Sequence, residues 1–240
     1  LNSPDTAPLL IFGAHPDDIE FGCGGVVASE TRAGRKAHFV VCSLGEAGTH
    51  GTGEQRAAEA KEAATLLGAT IEFIELDGDA HLELRTAHAI KLAETIRRIE
   101  PKTVLAPTPV ENQHSDHARL GQLVRDAARL ARYGGLKELL RQKTHTIEQL
   151  FFYAVTPDGE PRDCNPILID VSSPEIVAAW TAAMNAHGTQ AATRNYIELQ
   201  LTRARVLGAR AGIEYAIALF PNEPLVFESL AQAGRGARHF

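Results

Sequence analysis

A chain of 240 residues, 44% of them hydrophobic, is long enough to bury a sizeable core, and one α/β domain over residues 1–240 is expected. The formal charge of -6 disfavours nucleic-acid partners, whose binding rests on clustered Lys and Arg, and no apolar run approaches the roughly 20 residues of a bilayer span. Three widely spaced cysteines, Cys23, Cys42 and Cys164, suit reduced thiols, and with no secretory leader in the N-terminal residues the protein reads as cytoplasmic.

In chain order, a short apolar run at 9–14 predicts the first strand, followed by a helix at 25–32 and a second strand at 38–43. The Ala-, Glu- and Lys-rich stretch 54–67 is a helix, stopped at Gly68 where a left-handed cap is needed. Strands at 70–75, 103–106, 150–154 and 166–171 follow, separated or succeeded by helices at 86–99, 116–131, 174–186 and 197–211. Strands alternating with helices predict a doubly wound, mainly parallel sheet in a three-layer α/β/α arrangement, with tails at about 1–7 and 232–240. Ligands of such sheets collect outside the carboxyl ends of the strands.

Two polar clusters fall at such ends. The strand at 9–14 runs into His15-Pro16-Asp17-Asp18-Ile19-Glu20, where Pro16 stiffens the turn. The strand at 103–106 leads to His114-Ser115-Asp116-His117. One imidazole and one carboxylate from the first cluster and one imidazole from the second make the three-ligand set of a catalytic zinc: His15, Asp18 and His117. Asp17, adjacent to Asp18 and unable to point the same way, becomes the general base for water. His114 is left to stabilise an oxyanion, and Asp116 to orient an imidazole. Glu20 either orients a ligand or is simply solvated. Taken singly, each cluster could be a polar turn or a helix start without chemistry. Cys23 reads as a small buried residue, and Phe21-Gly22-Cys23-Gly24-Gly25 as a glycine-rich helix entry that does not match the dinucleotide fingerprint.

The segments AHPDDIEFGCGG, from Ala14 to Gly25, and HSDH, from His114 to His117, resemble the PIG-L or LmbE-like zinc deacetylases. The likeness extends to Gly45-Glu46-Ala47-Gly48-Thr49-His50-Gly51, to Arg56, and to Leu76-Asp77-Gly78-Asp79-Ala80-His81-Leu82, covering most of residues 9 to 130. It implies a Rossmann-like fold and hydrolysis of the N-acetyl group of an N-acetylglucosamine-type sugar. Carried over by position, it assigns zinc to His15, Asp18 and His117, the base to Asp17 and transition-state stabilisation to His114. It further implies sugar contacts from Arg56 and Asp79, a small amino-sugar substrate, and a homo-oligomer, trimer or hexamer. Thr189-Gln190, Arg203-Ala204-Arg205 and Gly208 to Tyr215 are similar, more loosely, to members acting in low-molecular-weight thiol biosynthesis; Ala216 to Pro221 departs from them. Other divalent metals suit the same donors. The competing readings are a metal-dependent hydrolase of another amide or ester, and a sugar-binding protein without catalysis.

Overall fold

The computed structural model of the chain describes residues 7–111, 114–191 and 195–238. Seven strands form a sheet in the order β3-β2-β1-β4-β5-β7-β6. They are β1 Leu9–Gly13, β2 Ala37–Val41, β3 Ala69–Phe73, β4 Thr103–Pro107, β5 Gln149–Tyr153, β6 Ile167–Asp170 and β7 Ala216–Pro221. Strands β3 through β5 pair in parallel, whereas β7 runs antiparallel to both β5 and β6. The helices are α1 Asp18–Arg32, α2 Gly53–Leu66, α3 Thr86–Ile99, α4 Ser115–Leu130, α5 Pro174–Ala186, α6 Gly188–Ala191 and α7 Tyr196–Ala211.

Alternate residues of the central strands feed two separate cores, which is why those strands read as unbroken apolar runs. Leu10, Phe12 and Val104 pack with Leu92 and Ile96 of α3 and Leu120 and Val124 of α4. Leu9, Ile11, Phe39 and Leu105 pack on the other face with Ile19 of α1, Ala63 of α2 and Trp180 of α5. The result is the expected three-layer α/β/α sandwich with a mainly parallel sheet. Among the described residues, no helix is long and apolar enough to cross a membrane.

The six expected strands are present, each displaced by no more than two residues at an end, and β7 joins them as a seventh. Helix α1 corrects a second expectation. It begins at Asp18, so the glycine-rich stretch lies inside it, bent at Cys23 (φ -147°). A Cβ on Gly24 would stand 2.7 Å from Trp180, one on Gly25 would stand 2.8 Å from Ile217, and one on Gly22 would enter the Tyr153 ring. Glycine costs a helix about 1 kcal/mol per residue relative to alanine. Here that cost is offset by two large rings seated directly on the helix backbone, each tied by a hydrogen bond. Tyr153 Oη donates to the Phe12 carbonyl and Trp180 Nε1 to the Glu20 carbonyl, both at 2.7 Å.

Helix α2 starts with a reciprocal capping box between Thr52 and Gln55, and Gly68 beyond its end adopts φ 73°, the left-handed conformation its position demands. From β1 the chain winds outward through β2 to β3, then returns to β4 on the opposite side of β1. The carboxyl ends of β1 and β4 therefore flank the point where the winding reverses, and the two polar clusters emerge side by side there.

Candidate active site

The turn after β1 is locked by its own backbone. Asp18 Oδ2 accepts the N–H groups of Ala14 at 2.8 Å and His15 at 3.0 Å, which leaves Oδ1 aimed across the site, 3.0 Å from His117 Nε2. Asp17 adopts φ 114° at the N-cap of α1, a conformation that costs a side-chain-bearing residue on the order of 1–3 kcal/mol. That strain turns the two adjacent carboxylates apart. Asp18 is buried at 2%, while the Asp17 side chain keeps 18% exposure and meets Arg56 Nη2 at 3.4 Å. Burial and the neighbouring Asp18 raise the Asp17 carboxyl to about 6, against smaller opposing effects of His187, Arg56 and His15.

The turn after β4 delivers its side chains through the first turn of α4. His117 is buried, and neither of its ring nitrogens makes a hydrogen bond among the described residues. His114, the N-cap, leaves 37% of its side chain exposed, its ring 4.4 Å from that of His15 and 5.3 Å from that of His117. Burial, then the nearby His15 and His117, lower the His114 pKa, so its imidazole is neutral near pH 7. His15 Nδ1 faces Asp18 Oδ2 at 3.6 Å, and Nε2 faces Asp79 Oδ1 at 3.1 Å and Asp116 Oδ2 at 3.4 Å. Burial disfavours an imidazolium at His15, but Asp18 and the other carboxylates outweigh it and hold the pKa well above the ordinary value. Asp18 is the converse: burial works to raise it, and His117 and His15 hold it well below the usual carboxylate range. The opposite shifts of His15 and Asp18 arise in part from their mutual attraction.

The residues fit a divalent cation. His117 Nε2, buried and without a hydrogen bond among the described residues, lies 3.0 Å from Asp18 Oδ1, and imidazole with carboxylate is a good donor set for zinc. The atoms of His15, His114 and His117 also converge within 4.8 Å.

All eight candidate residues assemble in this one region, where Arg56 and Asp79 also have protein partners. Arg56, buried at 5%, donates from Nη1 to the Gly45 carbonyl at 2.7 Å and from Nη2 to the Pro16 carbonyl at 3.1 Å. It braces the turn that carries Asp17. Gly45 has φ 68°, and a side chain there would collide with the guanidinium. Asp79, likewise buried, faces His15 and accepts the Ala47 N–H at 3.2 Å. Asp116 has the expected orienting position at His15 and also accepts the Ala80 N–H at 2.8 Å.

Sequence reasoning assigned no role to Glu46, and had no candidate at all in His187. Glu46 accepts from Leu44 N and Asp79 N, joining the loops after β2 and β3 beneath the site. His187, buried at 1% where α5 ends, lies 3.4 Å from Glu20 Oε2, which makes Glu20 a buried partner rather than a solvated one. Only its pairing across 167 positions would have exposed His187, and no local pattern carries that. Thr189, just beyond, bonds Glu59 through its N–H and hydroxyl, seating α6 on α2.

Comparison with known proteins agrees with this geometry. Residues 10–128, which contain both clusters, match the family described as PIG-L: GlcNAc-PI de-N-acetylase. The chain is 29% identical over 149 residues to the 4-oxalmesaconate hydratase of Pseudomonas putida, covering 57% of each chain. It is also 29% identical over 171 residues to the diacetylchitobiose deacetylase of Thermococcus kodakarensis, covering 64% of this chain and 62% of that one. The alignments thus span about three-fifths of those curated relatives. Among solved structures, the conserved protein TT1542 of Thermus thermophilus superposes with a TM-score of 0.82 at 29% identity, covering 92% of this chain and 97% of the other. With both clusters, the strand order and the matched segment in agreement, the chain belongs to the PIG-L (LmbE-like) deacetylase family.

Proposed function

We propose that the protein is a divalent-metal hydrolase, zinc being the favoured ion, that removes the N-acetyl group from an N-acetylglucosamine-type sugar or its conjugate. The observation that carries this reading is the pairing of a donor set for a cation, His15, Asp18 Oδ1 and His117 Nε2, with an adjacent carboxyl raised to about 6. A divalent ion held by those three residues supplies Lewis acidity, polarising an amide carbonyl and acidifying water.

Asp17 is suited to take the proton from the attacking water, because a carboxyl raised to about 6 is ionised at neutral pH yet more basic than an ordinary one. The same carboxyl then returns the proton to the departing amine. His114, neutral and partly open to the cleft, donates to the oxygen that becomes negative as the carbonyl turns tetrahedral. Asp116 and Asp79 fix the ring of His15, and Arg56 holds the Pro16 carbonyl so that Asp17 keeps its strained conformation.

The test is acetate release by metal-stripped protein reloaded with zinc, using N-acetylglucosamine, diacetylchitobiose and larger N-acetylglucosamine conjugates. Metal-dependent release supports the assignment and ranks substrates; no release from any of them rejects it.

The hydratase relative carries a second reading, in which the same activated water adds to a carbon–carbon double bond. The site favours the amide, because Arg56 is spent on two carbonyls and Asp17, and Arg119 on Asp116 and the Leu82 carbonyl, rather than on an anionic substrate. Loss of ultraviolet absorbance from an unsaturated dicarboxylate, without acetate release, would decide for the hydratase.

A further inference from the structure

The end of α4 remote from the catalytic clusters carries a row of positive charge. Arg125, Arg129 and Arg132, the last in the turn just past the helix, follow one another at spacings of four and three, which places them on one face. All three are exposed, and none makes a hydrogen bond or ion pair through its side chain among the described residues. Asp126, next to Arg125 on α4, pairs with none of them. Like charges so placed repel each other. Helix-end chemistry does not account for the row, because the closing carbonyls of α4 are served by another side chain. Buried Arg97 donates from Nε to the Ala131 carbonyl at 3.0 Å and from Nη2 to the Tyr133 carbonyl at 2.7 Å. It thereby supplies the positive charge that the negative end of a helix favours.

The three arginines line a groove of about 520 Å³, together with Ile147 before β5 and Val226 and Phe227 after β7. Val226 is 93% exposed and Phe227 half exposed, so a cationic row and an unburied apolar surface share one space of ligand size. Two carboxylates also line the groove, and neither meets an arginine. Glu148 pairs with Lys102 at 3.3 Å, and Glu223 accepts from the Asn222 amide at 3.2 Å. The groove lies at the amino end of β5, whereas both catalytic clusters follow carboxyl ends of strands. Along α4 alone, Arg125 stands about 12 Å from His117, and the two sites share no residue.

We propose that this groove is a second ligand site, for a nucleoside di- or triphosphate, with the phosphates on Arg125, Arg129 and Arg132 and the base on Phe227 and Val226. Guanidinium groups match phosphate oxygens in pairs, through charge-assisted hydrogen bonds. The row spans about 10 Å along the helix axis, too long for one phosphate to engage all three arginines and suited to a chain of two or three. The apolar surface beside it gives a planar base its cover. The site stands whatever reaction the other end of the molecule performs.

Calorimetric titration of the zinc-loaded full chain with ADP, adenosine, inorganic phosphate and citrate tests this. ADP should bind once per chain with a dissociation constant below about 100 µM, and adenosine and inorganic phosphate at least about tenfold more weakly, since each makes only part of the contacts. Arg125→Gln and Arg129→Gln should each weaken ADP by about tenfold or more, the loss expected when a hydrogen bond to a charged group is removed. Phe227→Ala should weaken it by about threefold. Because these side chains reach solvent, Tm should stay in place in every variant. No binding of ADP up to about 5 mM overturns the proposal. ADP no tighter than citrate or inorganic phosphate shows a general anion patch and also overturns it. Binding that survives both arginine variants, or that disappears when zinc is stripped, puts the nucleotide elsewhere. A dimer in sedimentation that the arginine variants dissociate puts a second copy of the chain in the groove, and the nucleotide site is rejected.

Discussion

The two turns that build the site solve the same problem in opposite ways. After β1, the backbone itself sets the geometry: two N–H groups pin Asp18, and Asp17 is held at φ 114°. After β4, placement follows from helix register, with His114 at the N-cap making no capping bond and His117 one turn further on. Close approach of α4 to the loop above it depends on Gly121, where a side chain would meet the Pro107 carbonyl. Under the proposed function, the rigid turn carries the residue that meets a proton at a defined point, and the more exposed turn the residue that follows an oxygen as the carbonyl changes shape.

The sharpest way to break this comparison is to neutralise the rigid turn. Asp17→Asn should keep bound metal and lower kcat by about 10²–10⁴, the usual worth of a positioned general base; full activity with normal metal content would reject its role. In the unmodified enzyme, kcat/KM should fall as pH drops through about 6, where Asp17 becomes protonated. A cation bound nearby moves that limb lower, never higher, because it favours the carboxylate. His114→Gln, on the looser turn, should lower kcat by about 10²–10³ with KM little changed. Asp116→Asn should act through His15, weakening metal affinity by about 10–100-fold with the fold intact, measured by competition with a chelator.

The smallest effect is on stability. Asp17→Gly removes about 1–3 kcal/mol of strain and gives back about 0.5–1 in chain entropy, so a gain near 1 kcal/mol is expected. For a chain of this size that corresponds to about 2–4 °C in Tm. The carboxyl of Asp17 is raised in the folded state, so its protonated form adds stability that is complete below about pH 4 and disappears as pH rises through about 6. The Gly variant's advantage should therefore widen from pH 5 to pH 8, and an advantage that shrinks over that range would contradict the raised pKa.

The frame of the molecule was legible because the central strands are buried on both faces and therefore apolar throughout, and because the two clusters each follow such a strand directly. The start of α1 was not. Glycines at 22, 24 and 25 argue against helix by propensity, and only the rings of Tyr153 and Trp180, distant in sequence, make them favourable there. The run from Ala216 to Pro221 has a single β-branched residue, so its strand character comes from pairing with β5 and β6. Arg56 and Asp79 lie at the site, but residue type could not show that they also tie down its turns, through the Gly45, Pro16 and Ala47 backbone groups that meet them.

The indole of Trp180 has a practical use. It is the only tryptophan in the chain, it is shielded from water, and its N–H bonds the carbonyl of Glu20, two residues beyond the ligand turn. All indole emission therefore originates from a single fluorophore mounted on the back of that turn. Cation loading, chelation or a shift of α5 against α1 can be followed optically in the unlabelled protein, in real time and without a substrate.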